Sequence, residues 1–219
     1  MRDLIVTGTD TGVGKTVIAA ALVRALRAGG VRALGFKPAE TGVGPGEPSD
    51  SEVLARASGE HTDLAKPLLH LPEALAPALA AERAGVTLDP DVLEARITAL
   101  RQQGYALVVE GAGGVMVPLN WGYTVLDLAQ ACDFDAVVVA RPGLGTLNHI
   151  AMTVMMLRSR DIAIRGVVLN GRSATPDLAE ATNPAALGRM LHGVRILEIP
   201  QDLSGAPIEA AALVVGRLL

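Results

Sequence analysis

Apolar residues along this chain fall into short continuous runs, separated by longer stretches in which they recur every three or four positions. The runs predict strands and the spaced stretches predict helices. Leu4-Ile5-Val6 lies in a first strand, Asp3 to Thr7, and an Ala- and Leu-rich helix follows from Lys15 to Ala28, stopped by Gly29-Gly30. Further strands are predicted at Val31 to Phe36, Ala106 to Glu110, Ala136 to Ala140 and Ile164 to Leu169. Helices are predicted at Ser51 to Ala57, with Ser49 or Asp50 as cap, and at Asp89 to Gln103, Val125 to Ala131 and Leu147 to Arg158. A weaker helical stretch covers Pro72 to Ala84, and Asn183-Pro184 has the form of a helix start. Val194 to Ile199 and Ile208 to Leu219 close the chain.

Strands alternating with helices imply an α/β fold with a mostly parallel sheet covered by helices on both faces. No repeat or long linker interrupts the 219 residues, which predicts one domain over the whole chain, 1 to 219. The glycine- and proline-dense stretch Gly42 to Pro48 reads as a mobile surface loop within it.

Composition narrows the function classes. No apolar run approaches the ~20 residues of a membrane-spanning helix, and the start of the chain lacks the regions of a secretion signal. A soluble cytoplasmic protein is expected, with no membrane partner. A net charge of −4 argues against non-specific nucleic-acid binding. The single cysteine, Cys132, excludes an internal disulfide and a cysteine-cluster metal site, and reads as a buried structural thiol. Of 19 basic residues only Lys15, Lys37 and Lys66 are lysines, a hint that these positions need a compact ammonium.

The chemistry concentrates where strands end. Thr7-Gly-Thr-Asp-Thr-Gly-Val-Gly-Lys-Thr16 joins the first strand to the first helix, at the edge where open α/β sheets bind ligands. The usual phosphate-loop spacing would place glycine at position 9, whereas the glycine here is Gly8, one residue early. Gly12 and Gly14 allow the backbone to approach phosphate, Lys15 can reach the outer phosphates, and Thr16 can hold Mg²⁺. The competing reading is an exposed turn with a chance Gly-Lys-Thr. Glu110 ends an apolar run just before Gly111-Ala-Gly-Gly114, as an acidic metal partner does in nucleotide enzymes; it could also be an exposed strand-end carboxylate. Asp50 is a second acidic candidate or simply a helix cap. Lys37-Pro38 follows the second strand at the ligand edge, with Thr41-Gly42 close behind.

Four segments in order sharpen this. Gly8-Thr-Asp-Thr-Gly-Val-Gly-Lys-Thr16, Lys37-Pro-Ala-Glu-Thr-Gly42, Glu110-Gly-Ala-Gly-Gly-Val-Met-Val-Pro-Leu119 and Gly143-Leu-Gly-Thr-Leu-Asn-His149 together resemble the dethiobiotin synthetase family, which acts in biotin synthesis. The resemblance runs from the first strand to at least Asn170, and in that family the longer lead-in of the loop is normal. It implies a single-domain fold like that of P-loop NTPases. It also implies closure of a cyclic urea on 7,8-diaminononanoate from CO₂ and ATP with Mg²⁺, through a carbamate and a carbamic–phosphoric anhydride.

Carried over by position, the resemblance implies Thr11, Lys15 and Lys37 as catalytic groups. Gly12, Val13, Gly14, Lys15, Thr16 and Val17 would bind nucleotide, with Asn170 reading the adenine edge and Ile199 and Pro200 flanking it. Thr16, Asp50 and Glu110 would hold the metal. Thr41, Lys37, Gly113 and Gly114 would face the diamine, and Leu144, Gly145, Thr146, Leu147 and Asn148 its distal carboxylate, beside a homodimer interface. From the residues alone, Asn170 could instead be a strand-end turn residue and Leu144 to His149 a plain helix start, and His149 reads as structural. The rival class is a partitioning or regulatory ATPase that works by ATP-dependent dimerisation. Those proteins carry a signature lysine five residues before the loop lysine, and here that position is Asp10. An amidating synthetase with a glutamine-cleaving domain would need a second domain and a cysteine nucleophile, for which the chain has no room.

Overall fold

The computed structural model describes residues 2–44, 46, 49–202 and 207–219; Pro45, Glu47 and Pro48 of the predicted surface loop lie outside them. The elements run β1 (Leu4–Gly8), α1 (Lys15–Ala28), β2 (Ala33–Phe36), β3 (Ala39–Thr41), α2 (Asp50–Ser58), α3 (Thr62–Ala65), β4 (Leu69–Leu71), α4 (Pro77–Arg83), α5 (Pro90–Gln102), β5 (Ala106–Gly114) and β6 (Pro118–Asn120). They continue with β7 (Tyr123–Thr124), α6 (Val125–Ala131), β8 (Asp135–Ala140), α7 (Thr146–Ser159), β9 (Ile164–Arg172), α8 (Leu178–Met190), β10 (Ile196–Pro200) and α9 (Pro207–Val215).

The apolar runs become neighbours in one six-stranded parallel sheet, ordered β10-β9-β8-β1-β5-β2. Alternate side chains of a strand point to opposite faces, and here both faces are covered. Leu4, Val6, Val108, Val137, Val139 and Val168 pack with α1, α2 and α9. Ile5, Leu107, Val109, Ala136, Val138 and Leu169 pack with α5, α6, α7 and α8. Burial on both sides is why these strands read as continuous apolar runs rather than alternating ones. Among the described residues, no helix is long and apolar enough to cross a membrane.

Differences from the sequence reading have local causes. Strand β5 runs on through Gly111–Gly114, where missing side chains erase the apolar pattern, yet Gly114 pairs with Gly8 of β1. The parallel pair β3–β4 and the hairpin β6–β7 are two or three residues per strand, too short for a period to register. The stretch Pro72 to Ala84 is helical only over Pro77–Arg83, with Pro77 at its first turn. Asn183-Pro184 does not start a helix: α8 begins at Leu178, capped by Asp177, and Pro184 lies inside it. The Asn183 amide instead donates to the carbonyls of Pro142, at 2.7 Å, and Gly143, at 3.1 Å. It thereby ties α8 to the connection between β8 and α7. Of the two proposed caps for α2, Ser49 is the one, and its hydroxyl accepts from Glu52 N at 3.1 Å. Asp50 therefore does not spend its carboxylate on the cap; it accepts from Thr16 and Lys37 instead.

Candidate active site

The phosphate-type loop leaves β1 at Gly8 and turns back on itself before α1. A Cβ at Gly8 would lie 2.6 Å from the Asp10 carbonyl oxygen and 3.0 Å from that of Gly113, so the early glycine is required by close backbone packing. Gly14 has φ +94° and caps α1 without a side-chain hydrogen bond, which leaves first-turn N–H groups of the helix free to face an anion. Asn170, at the end of β9, donates to the Val13 carbonyl at 2.9 Å and braces the loop from behind. Arg141 donates to the Thr11 carbonyl at 3.3 Å from the end of β8. The Asp10 carboxylate accepts from Thr11 N at 2.7 Å, so this position serves the loop's own turn.

Three neighbouring elements bring charge to the mouth of the loop. The Lys15 ammonium curls back to donate to the Asp10 carbonyl at 3.1 Å. The Thr16 hydroxyl lies 2.8 Å from an Asp50 carboxylate oxygen and 3.0 Å from Glu110 Oε1. Lys37 Nζ donates to Asp50 and, at 2.9 Å, to Glu110 Oε1. Lys15, Lys37 and Glu110 are all buried, which excludes the reading of Glu110 as an exposed strand-end group. Burial lowers the pKa of Lys15, and the nearby Lys37 adds to the effect against the pull of Glu110. Burial opposes the charge on Lys37 too, but Glu110 and Asp50 outweigh it and hold the ammonium protonated, with a raised pKa. Burial pushes Glu110 upward against the pull of Lys37.

These groups face a cavity of about 550 Å³. Thr11, Gly12, Gly14, Lys15, Thr16, Val17, Lys37, Thr41, Asp50, Glu110 and Gly113, all singled out in the sequence, line it. It also has an apolar wall, made of residues that were not among the expected site residues: Ala39, Ala74, Leu75, Ala76, Ala112 and Val117. The Thr41 hydroxyl donates to the Leu75 carbonyl at 2.8 Å and joins that wall to β3. Small apolar side chains and a backbone acceptor carry no chemical signature in a sequence. The predicted residues Val13, Gly114, Leu144, Gly145, Thr146, Leu147, Asn148, Asn170, Ile199 and Pro200 do not line this cavity. Val13 and Ile199 are buried in the sheet-side core. Gly145, at φ +91°, heads α7 without a side-chain cap, and Leu144 beside it is 94% exposed. This turn follows β8, the neighbour of β1, and so opens on the same sheet edge as the loop.

The oxygen set suits Mg²⁺. Thr16, Asp50 and Glu110 offer one hydroxyl and two carboxylates, and Mg²⁺ takes one or two protein carboxylates and completes its shell with water and phosphate oxygens. Glu110 Oε2 is buried with no hydrogen-bond partner, an oxygen that a cation would satisfy.

Comparison with known proteins agrees with the geometry. A family model described as an AAA domain matches residues 2–206. Among solved structures, the septum site-determining protein MinD from Pyrococcus horikoshii, complexed with Mg-ADP, aligns with 100% of this chain and 94% of its own, at TM-score 0.57 and 22% identity. The MinC:MinD complex from Aquifex aeolicus aligns with 100% and 94%, at TM-score 0.59 and 14% identity. These likenesses show the fold of P-loop NTPases. The ATP-dependent dethiobiotin synthetase of Haloferax mediterranei is 43% identical over 222 residues, covering 99% of this chain and 91% of its own. That of Anaeromyxobacter sp. (strain K) is 47% identical over 209 residues, covering 92% and 91%. With identity of this order along nearly its whole length, the chain belongs to the ATP-dependent dethiobiotin synthetase family.

Proposed function

We propose that this chain is a carbon–nitrogen ligase of biotin biosynthesis that closes the ureido ring of dethiobiotin on 7,8-diaminononanoate, using CO₂ and ATP. One amine adds to CO₂ and loses a proton to give a carbamate. A carbamate oxygen takes the γ-phosphoryl group of ATP, releasing ADP, and the second amine attacks the resulting carbonyl carbon to expel phosphate. The observation that carries this reading is the pairing of two buried lysines, Lys15 and Lys37, in one cavity that also has an apolar wall.

The chemistry demands that arrangement. Carbamate and γ-phosphate are both anions, and fixed positive charge in a site shielded from water offsets their repulsion. Lys15 and the loop N–H groups of Gly12, Val13, Gly14 and Val17 would hold the phosphates, while Lys37 faces the reacting groups. Mg²⁺, held by Thr16, Asp50 and Glu110, would neutralise phosphate charge. Thr11, Thr41 and Gly113 would contact the diamine, and Ala39, Leu75, Ala76 and Val117 suit its methylene chain. Asn170 and the backbone at Ile199–Pro200 would flank the adenine.

A homodimer and a cytoplasmic location are part of the proposal. Met116, Met152 and Met155 are more than half exposed and line a groove of about 400 Å³ with Thr9, Gly114 and His149. Exposed apolar surface is one feature of protein interfaces and supports a dimer here. A second copy seated there would lie beside Gly143–Asn148, where the substrate carboxylate is expected. Phosphate release tests the function: turnover should require diaminononanoate, bicarbonate and Mg²⁺ together, and diamine-independent turnover stimulated by DNA or lipid would overturn it in favour of the partitioning class.

A further inference from the structure

Glu40 lies between two residues that line the active cavity, Ala39 and Thr41, yet is itself absent from the lining. Side chains alternate along β3, so Glu40 points to the other side, and it is only 1% exposed. There its carboxylate meets the first turn of α2. One oxygen accepts from Ser51 N at 3.2 Å and the other from the Ser51 hydroxyl at 2.7 Å. His70, its register partner on β4, places Nδ1 at 3.6 Å. The Ser51 hydroxyl is also 3.0 Å from that of Ser49, the helix cap.

Asp50 stands between those two serines. Its backbone is therefore held on both sides: by the Ser49–Glu52 capping box, and by the clamp of Glu40 on Ser51. Its carboxylate points the other way, to Thr16 and Lys37. Glu40 also anchors this turn to the strand that carries Thr41. A helix start left with unsatisfied N–H groups frays readily, and an anionic acceptor there gains from the helix dipole as well.

We infer that Glu40 is a positioning residue for the metal site: it fixes the start of α2 so that Asp50 faces Thr16 and Glu110. This rests on the proposed role of Asp50 as a metal ligand. Partners that orient metal ligands are worth ~10–100-fold in metal affinity when removed, and an effect of that size is expected.

The test is calorimetric titration of Mg²⁺ into the protein–ADP complex, beside ADP binding in EDTA, for the parent, Glu40→Ala, Glu40→Gln and Ser51→Ala. Glu40→Ala should weaken Mg²⁺ binding by about 10-fold or more and leave ADP binding in EDTA unchanged. Glu40→Gln should stay close to the parent, because its amide oxygen can accept from Ser51 N while its NH₂ donates to the Ser51 hydroxyl. Ser51→Ala, which loses one of the two bonds, should fall between. A folded Glu40→Ala with parental Mg²⁺ affinity overturns the inference, as does a Gln variant as weak as Ala. If Glu40→Ala fails to fold, Ser51→Ala decides, and parental affinity there is equally fatal. These titrations contain no diamine, so absence of diamine-dependent turnover in the parent would strike the proposed reaction and not this inference.

Discussion

Lys37 Nζ lies 2.9 Å from Glu110 Oε1, and the pairing follows from strand register. Phe36, the last residue of β2, pairs with Val109 of β5, so Lys37 just past β2 and Glu110 on β5 come to neighbouring positions. Asp50 closes the cluster from the start of α2. Lys37→Ala should therefore abolish ring closure while leaving ATP binding largely intact, as measured by calorimetry. It also strands two carboxylates against each other. Removing one partner of a buried pair costs about 3–5 kcal/mol, so the melting temperature without Mg²⁺ should drop and added Mg²⁺ should restore much of it. Retained turnover would remove Lys37 from the catalytic groups.

Lys15 should show itself in proton uptake. Burial holds its pKa below the ordinary 10.5, and phosphate would raise it again. Below the lowered pKa the lysine is protonated both free and bound, and affinity does not depend on its titration. Above it, binding must take up a proton and affinity falls as pH rises. Calorimetry in buffers of different ionisation enthalpy should detect that uptake in alkaline solution, and Lys15→Ala should lose both the uptake and much of the affinity. The folding linkage has a related sign: between the lowered pKa and 10.5 the unfolded chain holds more proton, so this group's contribution to stability rises with pH.

Gly14→Ala should damage the loop twice over. The new Cβ would sit 2.1 Å from Asn170 Nδ2, and the backbone is at φ +94°. Left-handed backbone alone costs a non-glycine residue about 1–2 kcal/mol, and displacing Asn170 forfeits its bond to Val13, worth about 1 kcal/mol. Denaturant melts should report a loss of about 2 kcal/mol or more. Adding Asn170→Ala should relieve the overlap but not the backbone cost, so the two changes should be non-additive.

Cys132 is 5% exposed, and burial pushes its thiol up to about 11. Alkylation at pH 8 should be slow in the folded protein and fast in denaturant. Rapid native labelling would contradict its place in the core.

Much of this architecture was legible because the sheet is parallel and buried on both faces: its strands appear as unbroken apolar runs such as Val137-Val138-Val139. The loop, Lys37 and Glu110 were legible because glycines and isolated charges at strand ends have few other uses. Asp50 was ambiguous, since a carboxylate and the neighbouring serine can both cap a helix, and only the register of the first turn of α2 decides between them. Asn183-Pro184 misled because the amide is spent on the Pro142 and Gly143 carbonyls, a contact 40 or more residues away in sequence. Glu40 drew no reading of its own in the sequence, because its partner Ser51 is brought to it only by the fold.

The most direct test of the central claim is isotopic. The purified protein, given ¹³C-bicarbonate, ATP, Mg²⁺ and diaminononanoate, should yield dethiobiotin whose ureido carbonyl alone carries the label, with one phosphate released per ring, and Lys37→Ala should yield none. Consumption of ATP with no labelled ring, or a labelled ring formed equally well by Lys37→Ala, would contradict it.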